Sequence, residues 1–254
     1  MNDASSRGKF VWYDLMNVDP KRAVPFYTSV LGWGTQAYEG MGYTMWTANG
    51  TPIGGIGQGQ PSGGPHWLAY IFVEDVDAAV QQVQSLGGRT HVPAKDIPTV
   101  GRYAVVADPH GAVFAVFTPA DGGSGSGAES DPKMGEFSWH ELMTTDYAKG
   151  FAFYQTLFGW EKIAEHDMGP LGIYLIFGRG GRQLGGMFTT PPDVQMPPNW
   201  MQYVRVESAD TAAERVTANG GQVLNGPMDV PGGDRIAQCT DPQGAAFAVH
   251  ARGA

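Results

Sequence analysis

Cysteine is nearly missing from this chain of 254 residues. Cys239 stands alone, so no internal disulfide can form and no cysteine cluster can bind a metal. Basic residues are scarce, 16 Lys and Arg against 25 Asp and Glu, giving a formal net charge of −9. No basic run is available for a phosphate backbone and no basic amphipathic stretch for a membrane surface, so neither nucleic acid nor membrane is an expected partner. Nowhere do 18 apolar residues run together, and the opening MNDASSRGKF has no apolar signal core. A cytoplasmic location is the expectation. GxSxG, HExxH and P-loop signatures are missing, and no GxGxxG follows a strand. Aromatic residues, by contrast, make up 11% of a chain that is 42% hydrophobic, enough for a sizeable core.

The chain says nearly the same thing twice. WYDLMNVDPKRAVPFYTSVLGW at 12–33 returns as WHELMTTDYAKGFAFYQTLFGW at 139–160, with eight of 22 positions identical. TPIGGI at 51–56 matches RQLGGM at 182–187, and ADPHGAVFAVF at 107–117 matches TDPQGAAFAVH at 240–250. HWLAYIFVEDVDAAVQQVQSLGG at 66–88 likewise matches NWMQYVRVESADTAAERVTANGG at 199–221. Two long copies mean a duplicated domain rather than a solenoid. The expected domains are 8–120 and 135–252, joined by a Gly-rich linker at 121–134.

Each copy reads as strand, helix, strands, and then the same again. FVWYDLMNV alternates as a strand does. In DPKRAVPFYTSVLG, Asp19 suits an N-cap, Pro20 the first turn, and Phe26, Val30 and Leu31 form an apolar stripe; Pro25 should shorten or kink the helix. GRGGRQLGG at 178–186 precedes no helix and is read as a hairpin. The fold class is therefore α+β, with two tandem domains, each a pair of βαβββ modules forming a curved mixed sheet that encloses a cleft.

The order D…FY…LGW after a first strand, with DPxG before the last, resembles the vicinal oxygen chelate superfamily, which includes glyoxalase I, extradiol dioxygenases and bleomycin-resistance proteins. The doubled form is similar to tandem-domain glyoxalase-like proteins, some labelled hydroxylases. The resemblance implies a divalent metal held by His, Gln or Glu at set strand positions. Carried onto this chain, those positions are Trp12, Leu68, Ala115, Trp139, Met201 and Ala248, and none offers a metal donor. No cofactor is expected; the alternative is a divalent metal at displaced ligands.

Strand alternation supplies replacements two places away. Asp14 and Glu141 follow the two tryptophans by two residues, His66 precedes Leu68 by two and His250 follows Ala248 by two. Asp14 and His66 could meet in the first domain, and Glu141 could meet Arg205 or His250 in the second. Asp14, Glu141 and His66 are the candidate catalytic residues. A carboxylate in an apolar cleft is read as a general base or ligand anchor, or else as a hydrogen-bond acceptor at a domain seam. Trp12, Tyr70, Phe72, Trp139, Tyr203, Arg205 and His250 are the candidate binding residues, and an aromatic cleft with few polar anchors suits a small molecule. The same rings would also serve simply as packing. His91 and His110 read as solvent-facing, His166 as a loop residue and Cys239 as a small buried one. Two functions fit: a metal-independent binder of an aromatic or planar small molecule, or a lyase or isomerase acting on a carbonyl compound. The chain is expected to be a monomer with an internal pseudo-dimer, or a dimer.

Overall fold

Strand and helix signals alternate through each half, and the computed structural model forms them in that order. It describes residues 6–16, 18–38, 42–57, 63–121, 131–194 and 196–253. Most of the expected linker, residues 122–130, lies outside them. The first half contains β1 (Phe10–Met16), α1 (Pro20–Leu31), β2 (Gly34–Tyr38), β3 (Tyr43–Ala48), β4 (Thr51–Ile56), β5 (His66–Phe72), α2 (Val76–Ser85), β6 (Arg89–Ile97), β7 (Gly101–Ala107) and β8 (Val113–Pro119). The second contains β9 (Phe137–Thr144), α3 (Tyr147–Phe158), β10 (Glu161–Asp167), β11 (Ile173–Arg179), β12 (Arg182–Thr189), β13 (Asn199–Arg205), α4 (Ala209–Ala218), β14 (Gln222–Asp229), β15 (Arg235–Thr240) and β16 (Ala246–Ala251).

Each half forms an eight-stranded mixed sheet. The orders are β2-β3-β4-β1-β5-β8-β7-β6 and β10-β11-β12-β9-β13-β16-β15-β14. The first and last strands of every module pair in parallel: β1 with β4, β5 with β8, β9 with β12, β13 with β16. The βαβββ expectation holds four times over. β2, β6, β10 and β14 stand at the sheet edges. Their sequences, such as GTQAY and RTHVPAKDI, are polar or interrupted by proline, which an edge strand tolerates.

Local signals account for the helices. Asp19 caps α1 by accepting from Lys21 N, and Asp146 caps α3 by accepting from Lys149 N. Both helices stop at a glycine in the left-handed region, Gly32 at φ 70° and Gly159 at φ 72°. α1 is not cut short at Pro25, which lies on its exposed side, where the carbonyl it leaves unpaired can turn to water. The Gly180-Gly181 pair, with φ of 56° and 78°, is the two-residue loop of the expected hairpin, between β11 and β12. His166 sits on the edge strand β10 rather than in a loop.

By packing, the chain divides into two compact units. The first comprises Met1–Val11, Ala69–Gly127 and His140–Trp200; the second comprises Trp12–Leu68, Ala128–Trp139 and Met201–Ala254. Each unit therefore draws on both sequence halves, and the doubled motifs explain how. In the first unit the Tyr154 hydroxyl, from the FY motif of one half, donates to Asp108 Oδ2, from the DPxG turn of the other, at 3.0 Å. In the second unit Tyr27 donates to Asp241 Oδ2 at 3.2 Å. Trp200 Nε1 donates to the Tyr154 hydroxyl and Trp67 Nε1 to that of Tyr27, both at 3.1 Å. The other oxygen of each aspartate accepts backbone N–H groups of its own turn. The tryptophans of the LGW motifs complete the pattern: Trp160 Nε1 donates to Gly8 O at 2.9 Å in the first unit, and Trp33 Nε1 to Gly135 O at 2.7 Å in the second. These aspartates, tyrosines and tryptophans are all buried, so their polar groups must be paired inside. The motifs that announce the fold are its structural locks.

Candidate functional site

The strand alternation that sends Leu15 into one core leaves Trp12 and Asp14 on the same side of β1. In the second unit Trp12 Nε1 donates to Asp14 Oδ1 at 3.1 Å and to the Tyr43 hydroxyl at 2.9 Å. Tyr43 itself donates a short hydrogen bond to the same Asp14 oxygen. Asp14 is only 8% exposed, while Trp12 is half-buried. Burial first, and the Asp14 charge second, push the Tyr43 phenol far above its ordinary pKa. The phenol thus keeps its proton and serves as a donor.

The first unit repeats the phenol–carboxylate pair. Glu141 is 7% exposed and accepts from the Tyr174 hydroxyl at 2.9 Å. Each tyrosine crosses a glycine of the repeated GG pair. A Cβ added at Gly55 would strike the Tyr43 ring, and one at Gly186 the Tyr174 ring. Gly55 lies opposite Asp14, and Gly186 opposite Glu141, in the parallel ladders. The two tyrosines escaped the sequence reading. The signal was present in the GG pairs, where a missing side chain makes room for a neighbour.

The other candidates divide between the units. In the first, Tyr70 packs its ring against Tyr103 and Phe117, at centroid distances of 6.0 and 6.4 Å, and Phe72 is fully buried. In the second, His66 is half-buried with Nδ1 2.9 Å from Gly64 O. Trp139 is half-buried, and the buried Tyr203 hydroxyl accepts from Gln238 Nε2 at 2.9 Å. His250 sits between Ser138 Oγ at 2.9 Å and Asp234 Oδ2 at 2.7 Å. Arg205 Nε is buried and has no partner among the described residues. Burial, then the like charge of Arg252, lowers the Arg205 pKa.

Of the remaining groups, His140 is buried, stacked on Phe10 at 3.5 Å, with Nδ1 2.8 Å from Leu184 O; burial lowers its pKa to about 3. His91 is exposed as expected. His110 is half-buried rather than solvent-facing, because its Nδ1 lies 2.9 Å from Thr144 Oγ1 and 2.7 Å from Thr145 Oγ1. Cys239 is buried, which pushes its thiol up to about 12.

The displaced donors already have partners within the protein. Asp14 Oδ1 is occupied by indole and phenol donors and both His250 nitrogens are engaged, whereas only the Nδ1 of His66 is held, by the Gly64 carbonyl. Among the described residues no three His, Cys, Asp or Glu side chains gather as a metal site would require. A carboxylate beside a protonated phenol can instead bind a polar group or exchange a proton.

Comparison with known proteins places this geometry in a family. The profile of the glyoxalase/bleomycin resistance protein/dioxygenase superfamily matches residues 9–116 and 136–249. CFP32 of Mycobacterium tuberculosis, which carries a provisional glyoxylase name, is 35% identical over 94% of this chain and 92% of its own. The anthracycline biosynthesis protein DauV of Streptomyces sp. strain C5 is 31% identical over 95% of this chain and 92% of its own. Among solved structures, a Mn(II)-bound glyoxalase from Novosphingobium aromaticivorans shares the fold at TM-score 0.64 and 15% identity, across 97% of this chain and 82% of that one. The chain belongs to the glyoxalase/bleomycin resistance protein/dioxygenase superfamily.

Proposed function

We propose that this protein binds an aromatic or planar small molecule without a metal, using Trp12 and Trp139 as apolar surfaces and Asp14 and Glu141 as polar anchors. The observation that carries the reading is the repeated tyrosine–carboxylate pair, Tyr43 with Asp14 and Tyr174 with Glu141. A buried carboxylate is costly unless donors satisfy it, and here both halves keep one at the same strand position. An acid held by a phenol beside an indole suits recognition of a flat, polar-edged ligand. A relative named for anthracycline biosynthesis supports this, since anthracyclines carry a fused planar ring system. The protein is read as a monomer with an internal pseudo-dimer. None of its described helices is long and apolar enough to cross a membrane.

The second reading is a lyase or isomerase acting on a carbonyl compound. A carboxylate in a partly enclosed site can take a proton from a substrate carbon, and Asp14 or Glu141 would be the base. A panel of planar aromatic and α-ketocarbonyl compounds, followed by tryptophan fluorescence and by turnover, tests both. Asp14→Asn and Glu141→Gln keep shape and remove charge. Loss of binding with no turnover in the parent supports the binder, and loss of turnover with binding kept supports the enzyme. If both variants match the parent in binding, turnover and stability, the acids have neither role.

A further inference from the structure

At four corresponding positions near one another in the second half, a polar residue replaces an apolar one or glycine of the first. Where the first half has Val11, Phe72, Gly101 and Phe117, the second has Ser138, Arg205, Asp234 and His250. All four of the latter belong to the second compact unit. Three of them form a continuous hydrogen-bonded series, Ser138 Oγ to His250 Nδ1 at 2.9 Å and His250 Nε2 to Asp234 Oδ2 at 2.7 Å. Ser138 Oγ also lies 3.3 Å from Tyr203 O. Gly253 N donates to Asp234 Oδ1 at 3.1 Å, so both oxygens of the acid are fixed.

The Asp234 carboxyl keeps its charge. Partial burial raises its pKa, but the His250 and Gly253 hydrogen bonds and the Arg205 charge outweigh that and hold it below the ordinary carboxylate range. The Arg205 backbone N donates to Glu136 O at 2.8 Å, setting this residue beside the start of β9. Its buried Nε lacks a partner among the described residues. The series is reachable from solvent, with the Asp234 side chain 36% exposed, that of His250 14% and Ser138 half-buried. A hydroxyl on an imidazole that a fixed carboxylate orients is the arrangement of an activated nucleophile, here with the two ring nitrogens in exchanged roles.

We propose that Ser138, His250 and Asp234 form an acyl-transfer site that hydrolyses small carboxylic esters. The Ser138 hydroxyl proton passes to His250 Nδ1 as Oγ bonds to the acyl carbon. The ester C–O bond then breaks, and the leaving alkoxide takes the proton from His250. Water repeats the sequence in reverse roles: it gives a proton to His250, its oxygen bonds the acyl carbon, and Ser138 leaves with the proton restored. Asp234 holds the imidazole and stabilises its transient positive charge. None of these residues belongs to the Trp12–Asp14–Tyr43 cluster, so this activity and the proposed aromatic binding stand or fall separately.

The test is covalent labelling of the unaltered full-length chain. A fluorophosphonate loses fluoride as Ser138 Oγ bonds phosphorus, and peptide mapping should find one adduct per chain, at Ser138. With 4-nitrophenyl acetate, Ser138→Ala should lower hydrolysis at least ~100-fold and Asp234→Asn by a similar factor, with thermal unfolding close to the parent's. No adduct at Ser138, or hydrolysis by Ser138→Ala as fast as by the parent, overturns the proposal. The labelling result requires no variant, so it decides the matter even where a substitution prevents folding.

Discussion

The hydroxyl of Tyr154 donates to Asp108 Oδ2 at 3.0 Å while accepting the indole N–H of Trp200. Tyr154→Phe therefore leaves two buried groups short of a partner. It should cost about 1–3 kcal/mol in denaturant unfolding. Tyr27→Phe, which strands Trp67 Nε1 and Asp241 Oδ2 in the same way, should cost a similar amount.

The phenols over the two acids are a separate matter. Tyr43→Phe and Tyr174→Phe each remove a donor to a carboxylate but keep the ring over its glycine. Affinity for a ligand found in the aromatic panel should fall about tenfold in the variant that alters the occupied site, as loss of one charge-assisted hydrogen bond implies. Unchanged titrations for both variants would leave the tyrosines a purely structural role.

How much of this was legible in the sequence depends on what each feature rests on. The modules and their order followed from repetition, the α1 cap from Asp19, and the GRGGRQ hairpin from a Gly-rich stretch that precedes no helix. The juxtaposition of Trp12 and Asp14 followed from alternation along one strand. Tyr43 and Tyr174 did not, because their positions depend on cross-strand register, and that register shifts at Trp46/Thr47 and at Phe177/Gly178. Ser138 and Asp234 escaped because they come from distant segments at the ends of elements. The mixed make-up of the compact units was illegible for a simpler reason. A repeat has the same pattern whether each half packs on itself or exchanges modules with its twin.

Gln202 offers a gain in stability. It is fully buried on β13, and neither its Oε1 nor its Nε2 has a hydrogen-bond partner among the described residues. Gln202→Met keeps the shape and removes two unpaired polar atoms. It should raise the unfolding free energy by about 1–3 kcal/mol, measured as a higher denaturant midpoint at unchanged slope. A lower midpoint would mean that the amide is satisfied in solution.

His140 sets a pH dependence whose sign is fixed. Burial lowers its folded-state pKa to about 3, against about 6.5 when unfolded. Between those values the unfolded chain binds the extra proton, so this residue's contribution falls as the pH drops from about 6.5 toward 3, by at most about 1.4 kcal/mol per pH unit. Above about pH 7 it is flat. The stability of the parent minus that of His140→Gln, followed from pH 8 to pH 4, should show this slope; a flat difference refutes it.

For the metal, the expectation is negative and measurable. Protein purified without added metal should carry far less than one equivalent of any divalent ion, and a chelator should leave ligand titrations unchanged. Stoichiometric metal, with function lost to chelation and restored by metal, would redirect attention to Asp14, His66, Glu141 and His250 as ligands.

The make-up of the compact units also orders events during synthesis. The first unit ends at Trp200, whereas the second needs Met201–Ala254. Tyr27 must wait for Asp241, 214 residues later, before its hydroxyl has that carboxylate to donate to. At about 5–20 residues per second, the ribosome needs roughly 3–11 s to add Met201–Ala254. During that interval the nascent chain can close its first unit while β1 through β4 stay without the strands and helix that complete the second. A chaperone that shields apolar strands would find its client in the oldest part of the chain, not the newest.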